Sequence, residues 1–328
     1  MPRLCLAVLL VCSAARAEEI RIEIARGAKE MRVESAGRTF VVDGPRTLEG
    51  PLRLDGREVP GRLEVFRDRG RLVAVNVVDL EDYVAAVVAS EVSPAWPAEA
   101  LKAQAVAART FAVAQKVAQG PGARAHLGAS VLDQVYKGTA HPAPSASKAA
   151  RETSGEVLTW GAAPIAAYFS ASCGGRSESA ERDFHLGPGT TPYLHGGEAD
   201  EDEHPWTKTV KLADLTAALR NRIGSTVKGL RVSARTASGR ARTLSLETSA
   251  GRKALPAVEL RQLLGYRELP SLLFDVSTEG DTAVFTGKGS GHGVGLCQWG
   301  AHQRASRGAT YREILAHYYP GAEIRRMY

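Results

Sequence analysis

The hydrophobic period changes at residue 79, and that change constrains the fold more than any other feature of the chain. Before it, Ile20, Ile22 and Ile24 alternate with Arg21, Glu23 and Ala25, the period of two that marks a half-buried strand. Short apolar runs follow around Val33, Phe40, Leu54, Val65 and residues 72–78, punctuated by Gly37, Asp43-Gly44-Pro45, Asp55-Gly56 and Arg69-Gly70. Such punctuation predicts hairpins. From residue 79 onward, Leu80, Tyr83, Val84, Val87 and Val88 fall three and four apart, which predicts a helix with Asp79 as its N-cap. Ser93-Pro94 ends it. A second helix opens with Pro97, a favoured first-turn residue. It carries Leu101, Ala105, Ala108 and Arg109 and stops at Gly120-Pro121-Gly122. A β-rich lead-in followed by a helix hairpin excludes regular βαβ alternation and predicts an α+β fold.

The rest of the chain reads as a mixture. A helix is expected over 145–153, with strands at 157–160 and 165–170. Further on, 211–223 and 257–264 read as helices, with strands at 230–233, 244–247, 273–277 and 283–286. A last helix closes at 311–319. These define a β-rich segment over 18–75 and a body over 76–328, with a smaller α/β unit inserted at about 205–285. Residues 195–205 are acidic, contain His195 and His204, and predict no element.

Of 328 residues, 44% are hydrophobic and 24% charged. That composition belongs to a globular chain with a sizeable core. The formal charge of +6 is small and scattered, without basic clusters interleaved with aromatics, which argues against nucleic acid. No apolar run reaches the roughly 18 residues of a membrane span. Residues 1–17 read as a secretory signal: Arg3, an apolar stretch over 4–12, and the cleavage pattern Ala15-Arg16-Ala17. Export is therefore expected, to a periplasmic or extracellular space. Cys5 and Cys12 leave with the signal, so the mature chain keeps Cys173 and Cys297, which are free to pair or not. No Cys-x-x-Cys occurs, a zinc site would need histidines from elsewhere, and neither metal nor cofactor is expected.

Three places carry chemistry. Glu91 ends the first helix among Val92, Pro94, Trp96 and Pro97. A carboxyl against such surfaces is desolvated, which favours its protonated form and suits a general acid. Glu at a helix C-terminus also opposes the helix dipole, so stability alone does not choose it. Arg109 shares the apolar face of the second helix with Leu101 and Ala105, and an inward Arg needs a carboxylate or carbonyl partner. It meets Glu91 only if the hairpin is skewed. The run Gly287-Lys-Gly-Ser-Gly-His-Gly-Val-Gly295 matches neither a dinucleotide fingerprint nor a P-loop. It reads as a close-approach wall, with His292 as the side chain that titrates near neutrality. Tyr168-Phe-Ser-Ala-Ser-Cys-Gly-Gly175 lacks the Gly-x-Ser-x-Gly of a serine hydrolase. Ser170 and Ser172 there read as substrate-contacting hydroxyls, and a Cys173/His292 nucleophile pair stays open.

Taken together, several long motifs resemble one family. They are Val84-Ala-Ala-Val-Val-Ala-Ser-Glu-Val, Trp96-Pro-Ala-Glu-Ala-Leu-Lys-Ala-Gln-Ala-Val-Ala-Ala-Arg-Thr, Gln134-Val-Tyr-Lys-Gly and Tyr168-Phe-Ser-Ala-Ser-Cys-Gly-Gly. They continue with Ser238-Gly-Arg, Gly289-Ser-Gly-His-Gly-Val-Gly-Leu-Cys-Gln-Trp-Gly-Ala and His317-Tyr-Tyr-Pro-Gly. In this order, from about residue 75 to the end, they resemble the SpoIID/LytB family of sporulation-type peptidoglycan lytic transglycosylases and amidase enhancers. The resemblance implies a cell-wall glycan strand as substrate, with or without stem peptides, and a cell-wall amidase as a further partner. It implies an acid/base glutamate at Glu91 assisted by Arg109, and a groove lined by Gln134, Tyr136, Tyr168, Ser170, Ser172, His292 and Gln298. Some members carry zinc-binding cysteines just before Gln-Val-Tyr. Here that stretch is Ser130-Val-Leu-Asp-Gln-Val-Tyr, which implies no zinc there. The alternatives to a transglycosylase are a non-catalytic glycan-binding module that stimulates an amidase, and the Cys173/His292 hydrolase.

Overall fold

The computed structural model describes residues 18–128, 134, 136–138, 141–183, 189–197 and 200–328. The signal segment expected over 1–17, and the stretch at 130–133, lie outside the described residues. The chain is α+β, as its change of period predicts. Strand Glu19–Ala28 pairs antiparallel with Arg71–Asp79, which continues to Arg62–Asp68 and Arg46–Glu49. The strand Arg71–Asp79 is covered on both faces, so it reads as an unbroken apolar run rather than an alternation. Leu72 and Ala74 face the hairpins that hold Met31, Val33 and Leu54, and Val73, Val75 and Val77 face the other side. The one polar residue inside it, Asn76, is fully satisfied. Its amide donates to the Pro60 and Arg62 carbonyls, and its Oδ1 accepts from Tyr136 Oη at 2.7 Å.

That strand runs directly into helix α1 (Leu80–Glu91). Asp79 closes the strand and caps the helix, its Oδ1 accepting from the Glu81 and Asp82 amides. Val92 turns extended at the C-terminus, and α2 (Ala98–Gln119) begins after Pro97, which stands at the cap rather than inside the first turn. Helix α2 is the central post of the body. Its alanines let neighbours approach on every side, so it is buried around its circumference from Ala100 to Val113. Leu101, Ala105 and Ala108 pack with α1 and with α3 (Pro144–Glu152). Ala103, Val106 and Ala107 pack with the C-terminal elements, among them Ile314, Leu315 and Tyr318.

Residues 205–288 build a separate core around Leu215, Leu244, Leu246, Leu255, Phe274 and Phe285. One three-stranded sheet there is ordered Pro205–Lys211, Thr282–Lys288, Phe274–Glu279, and a second is ordered Val227–Arg235, Ala241–Thr248, Gly251–Pro256. The expected helix over 211–223 is two pieces, Leu212–Ala218 and Arg220–Ile223, broken at Leu219. The expected strand over 165–170 shrinks to Phe169–Ser170, which pairs in parallel with Leu296–Cys297. Among the described residues no helix is long and apolar enough to cross a membrane.

Candidate active site

Three elements bring their ends together around Glu91. Helix α1 delivers Glu91 itself. The helix Gln298–Ser306 delivers Gln298, its first residue, and α2 delivers Gln104. Gln298 Nε2 lies 3.3 Å from Glu91 Oε2 and 3.4 Å from Gln104 Oε1. Gln298 and Gln104 are buried, whereas Glu91 keeps partial exposure. A neutral amide can orient a carboxyl group without placing a full charge against it.

Beside Glu91 stands a cluster of half-exposed rings. Trp96, five residues beyond it, lies 5.0 Å from Trp299 and 4.9 Å from His302, and His204 lies 4.6 Å from Trp299. Rings open on one side and packed on the other form a platform on which an apolar sugar face can stack. A cavity of about 710 Å³ lies among the N-terminal hairpins around Glu34, Pro51 and Glu58, and shares no residue with this cluster.

Arg109 is placed elsewhere. Its guanidinium is buried and forms a bidentate pair with Glu81, Nε to Oε1 at 2.9 Å and Nη2 to Oε2 at 2.5 Å. Nη1 donates to Thr153 Oγ1 and the Glu156 carbonyl, and Nη2 to the Ala150 carbonyl. All five donors are thus used away from Glu91. Burial pushes the Glu81 carboxyl up, but the Arg109 charge and hydrogen bonds, with Tyr328 and the Gly155 amide, outweigh it and hold the group below its ordinary value. The expected Glu91–Arg109 contact is therefore corrected to Glu81–Arg109, a clamp that ties α1 and α2 to α3 and the strand Glu156–Trp160.

The other expected groove residues divide. Gln134 and Tyr136 are core. Gln134 Oε1 accepts from Tyr83 Oη at 2.7 Å and its Nε2 donates to the Ala108 carbonyl, while Tyr136 packs 5.2 Å from Tyr83. Ser170 and Ser172 are buried too. Ser170 Oγ accepts from the Gly293 amide, and Ser172 Oγ accepts from the Gly174 amide. They hold the glycine-rich run in place and are not groove hydroxyls. Gly291 sits with φ +106° against Ser170, where a Cβ would overlap the serine side chain, which explains the glycine. Tyr168 is half-buried between Phe111 and His292, with ring centroids at 5.6 and 6.2 Å.

His292 does not titrate near neutrality. Burial, then the charges of Arg261 and Arg240, press it down to about 4. Its Nδ1 accepts from the Val294 amide at 2.9 Å, and the ring also hydrogen-bonds the Phe169 backbone. Cys173 Sγ donates to Asp200 Oδ2 at 3.4 Å. Neither residue is arranged as half of a nucleophile pair.

Sequence reasoning missed two residues of weight. Gln104 was hidden in an alanine-rich run, and its buried Nε2 has no hydrogen-bond partner among the described residues. An amide set among the small apolar residues Ala103, Ala105 and Val106 was the available signal. Arg240, the last residue of Ser238-Gly-Arg, is buried and donates to the Cys173 and Arg176 carbonyls. It fastens the 205–288 unit to the body directly beneath the glycine-rich run.

The family model described as stage II sporulation protein matches residues 68–160, and a domain of unknown function (DUF8618) matches residues 194–295. Stage II sporulation protein D of Bacillus subtilis (strain 168) is 33% identical over 285 residues, covering 81% of this chain and 79% of that protein. The chain belongs to the SpoIID/LytB family. A SpoIID homologue from Bacillus amyloliquefaciens is 32% identical, covering 82% of this chain and 80% of its own. An uncharacterised protein of Brachyspira hyodysenteriae is 36% identical over 83% of this chain. The amidase enhancer of Bacillus subtilis is 29% identical over 73% of this chain, but only 39% of that protein is matched. The SpoIID match spans α1, α2 and Glu91, and the second match spans the inserted unit and His292.

Proposed function

We propose that this SpoIID/LytB chain is an exported enzyme that cleaves peptidoglycan glycan strands between N-acetylmuramic acid and N-acetylglucosamine by lytic transglycosylation. The observation that carries the reading is Glu91, held by a neutral amide beside an open aromatic platform. Hydrolysis of a glycosidic bond ordinarily takes two carboxylates. An intramolecular attack takes one. Glu91 gives its proton to the glycosidic oxygen as the C1–O bond breaks. The resulting carboxylate then accepts the proton of the muramic C6 hydroxyl as that oxygen bonds C1 and closes a 1,6-anhydro ring. The proton returns to Glu91, and no water is consumed. Gln298 keeps the carboxyl aimed, and Trp96 and Trp299 hold a sugar face.

The amidase-enhancer relative supports a second reading, in which the same platform binds glycan and a cell-wall amidase cuts. Glycan strands with and without stem peptides, treated with wild type and Glu91→Gln and read by mass spectrometry, separate the two. Anhydromuramic ends from wild type alone support the transglycosylase. Reducing ends from wild type point to hydrolysis by water. Intact strands that bind both proteins equally overturn the enzyme and leave the enhancer.

A further inference from the structure

Behind the aromatic platform, three ligating side chains from distant parts of the chain converge. Cys173 Sγ, Cys297 Sγ and a carboxylate oxygen of Asp202 lie within 4.8 Å of one another, all buried. Cys297 Sγ is 3.2 Å from Asp202 Oδ2. We infer that Cys173, Cys297 and Asp202 form a binding site for one thiophilic divalent cation, of the zinc class, in which the ion has a structural role.

Four observations support it. A tetrahedral zinc with thiolate and carboxylate ligands sets them roughly 3.5–3.8 Å apart, and the cluster already approaches that spacing. The Asp202 side chain is fully buried, and its only partners among the described residues are the Cys297 thiol and the His204 imidazole. A buried carboxylate facing two thiols calls for a cation. Cys297 Sγ accepts backbone amides from Cys173 at 3.2 Å and Gly300 at 3.3 Å, the support that a thiolate ligand uses. Asp200 is fixed alongside by Tyr318 Oη at 2.7 Å and by Arg304, so the neighbouring negative charge is already organised.

Binding replaces two S–H bonds by two metal–sulfur bonds and releases two protons, with no change of oxidation state. Two thiolates and one carboxylate then balance the ion to a net −1, and water completes the coordination. Because both thiols must lose their protons to bind, loading is favoured as pH rises. The ion would staple the segment after Phe169–Ser170, the loop entering the inserted unit, and the N-terminus of the helix that presents Gln298 to Glu91. This ligand set does not rest on the reaction assigned to Glu91. It is also separate from the stretch before Gln134.

The test uses the full mature chain expressed with zinc supplementation and dialysed exhaustively. Elemental analysis should find one zinc per chain, and cobalt chloride added after chelation should give the thiolate charge-transfer and tetrahedral d–d bands. Asp202→Asn, which keeps the side-chain shape, should lower zinc affinity at least tenfold, and Cys297→Ser should abolish the charge-transfer band of a two-thiolate site. Zinc should raise the Tm of wild type and not of Cys297→Ser. No bound zinc with no cobalt band, zinc retained equally by both variants, or two thiols detectable only after reduction would each overturn the site. The last outcome would assign a disulfide instead.

Discussion

Replacing Arg109 tests whether it is a clamp or a catalytic group. The five hydrogen bonds of its guanidinium reach Glu81, Thr153, Ala150 and Glu156. Arg109→Lys keeps the charge but has at most three donors and no planar fork, so at least two acceptors lose their partner. At roughly 1 kcal/mol for each unmade bond, the expected loss is about 2 kcal/mol. For a chain of this size, at about 2.1 cal/mol/K of unfolding entropy per residue, that is a fall in Tm of roughly 3 °C. Arg109→Met strands the Glu81 carboxylate. Losing one partner of a buried pair costs about 3–5 kcal/mol; Glu81 keeps 20% exposure and other donors, which sets the expectation near the lower figure. The Glu81→Gln/Arg109→Met double variant should recover part of it. Because Glu81 is held below its ordinary carboxyl value, the pair's contribution is present above about pH 4.5. It is lost as pH falls through the lower folded value, so wild type and Arg109→Met should converge in acid. Differential scanning fluorimetry across pH, with glycan cleavage at 20 °C normalised to folded protein, reads both quantities. An Arg109→Lys protein with unchanged Tm and cleavage reduced tenfold would refute the clamp and return Arg109 to the chemistry.

Trp299→Ala should weaken glycan-strand binding about tenfold, or ~1.4 kcal/mol, with unchanged Tm; pull-down on purified strands checks it, and unaltered binding would remove the platform from the site. Acid stability has a second source. His126 is pressed to about 4 by burial, then Lys116 and Arg21, and His292 also lies at about 4. Both are favoured neutral in the fold, so their stabilisation is complete above the unfolded value of about 6.5 and falls as pH drops through 4, by at most roughly 3 kcal/mol each. The urea midpoint should therefore fall between pH 6.5 and 4, and His126→Gln should flatten that slope. Gly295→Ala should destabilise by more than about 2 kcal/mol, since φ is +68° and a Cβ would overlap the Tyr168 carbonyl oxygen; a normal urea midpoint would contradict the close packing of that strand.

The helix hairpin was legible because its period, cap and breakers all agree. Arg109 was correctly read as inward, since it shares a face with Leu101 and Ala105, but its partner was misread. In an antiparallel hairpin a residue twelve positions into α2 lies about 18 Å along it. That is level with the first turn of α1, where Glu81 sits, and not with its last, where Glu91 sits. Rise per residue was enough to choose between the two glutamates. The helix Gln298–Ser306 was not legible. The glycines before it mask any period, and its cap is the Cys297 sulfur rather than a hydroxyl or carboxylate. The strand Pro205–Lys211 was hidden because its alternate inward positions are only half-buried.

Hydrogen-bond satisfaction separates the motif residues that can meet a glycan from those that cannot. Gln134 uses both its carbonyl and its amide inside the core, and Ser170, Ser172 and Arg240 spend theirs on the backbone of neighbouring segments. A group whose bonds are made within the fold has little to offer a ligand without breaking them at roughly 1–3 kcal/mol each. These residues recur in a recognisable pattern because they fix the glycine-rich run, the Ser172–Gly174 turn and the inserted unit against one another. Glu91, Trp96, Trp299 and His302 are instead partly exposed around one edge. The motif that looked like one continuous groove is thus two layers, a buried frame and a short reactive rim, and only the rim is expected to change glycan affinity when it is altered.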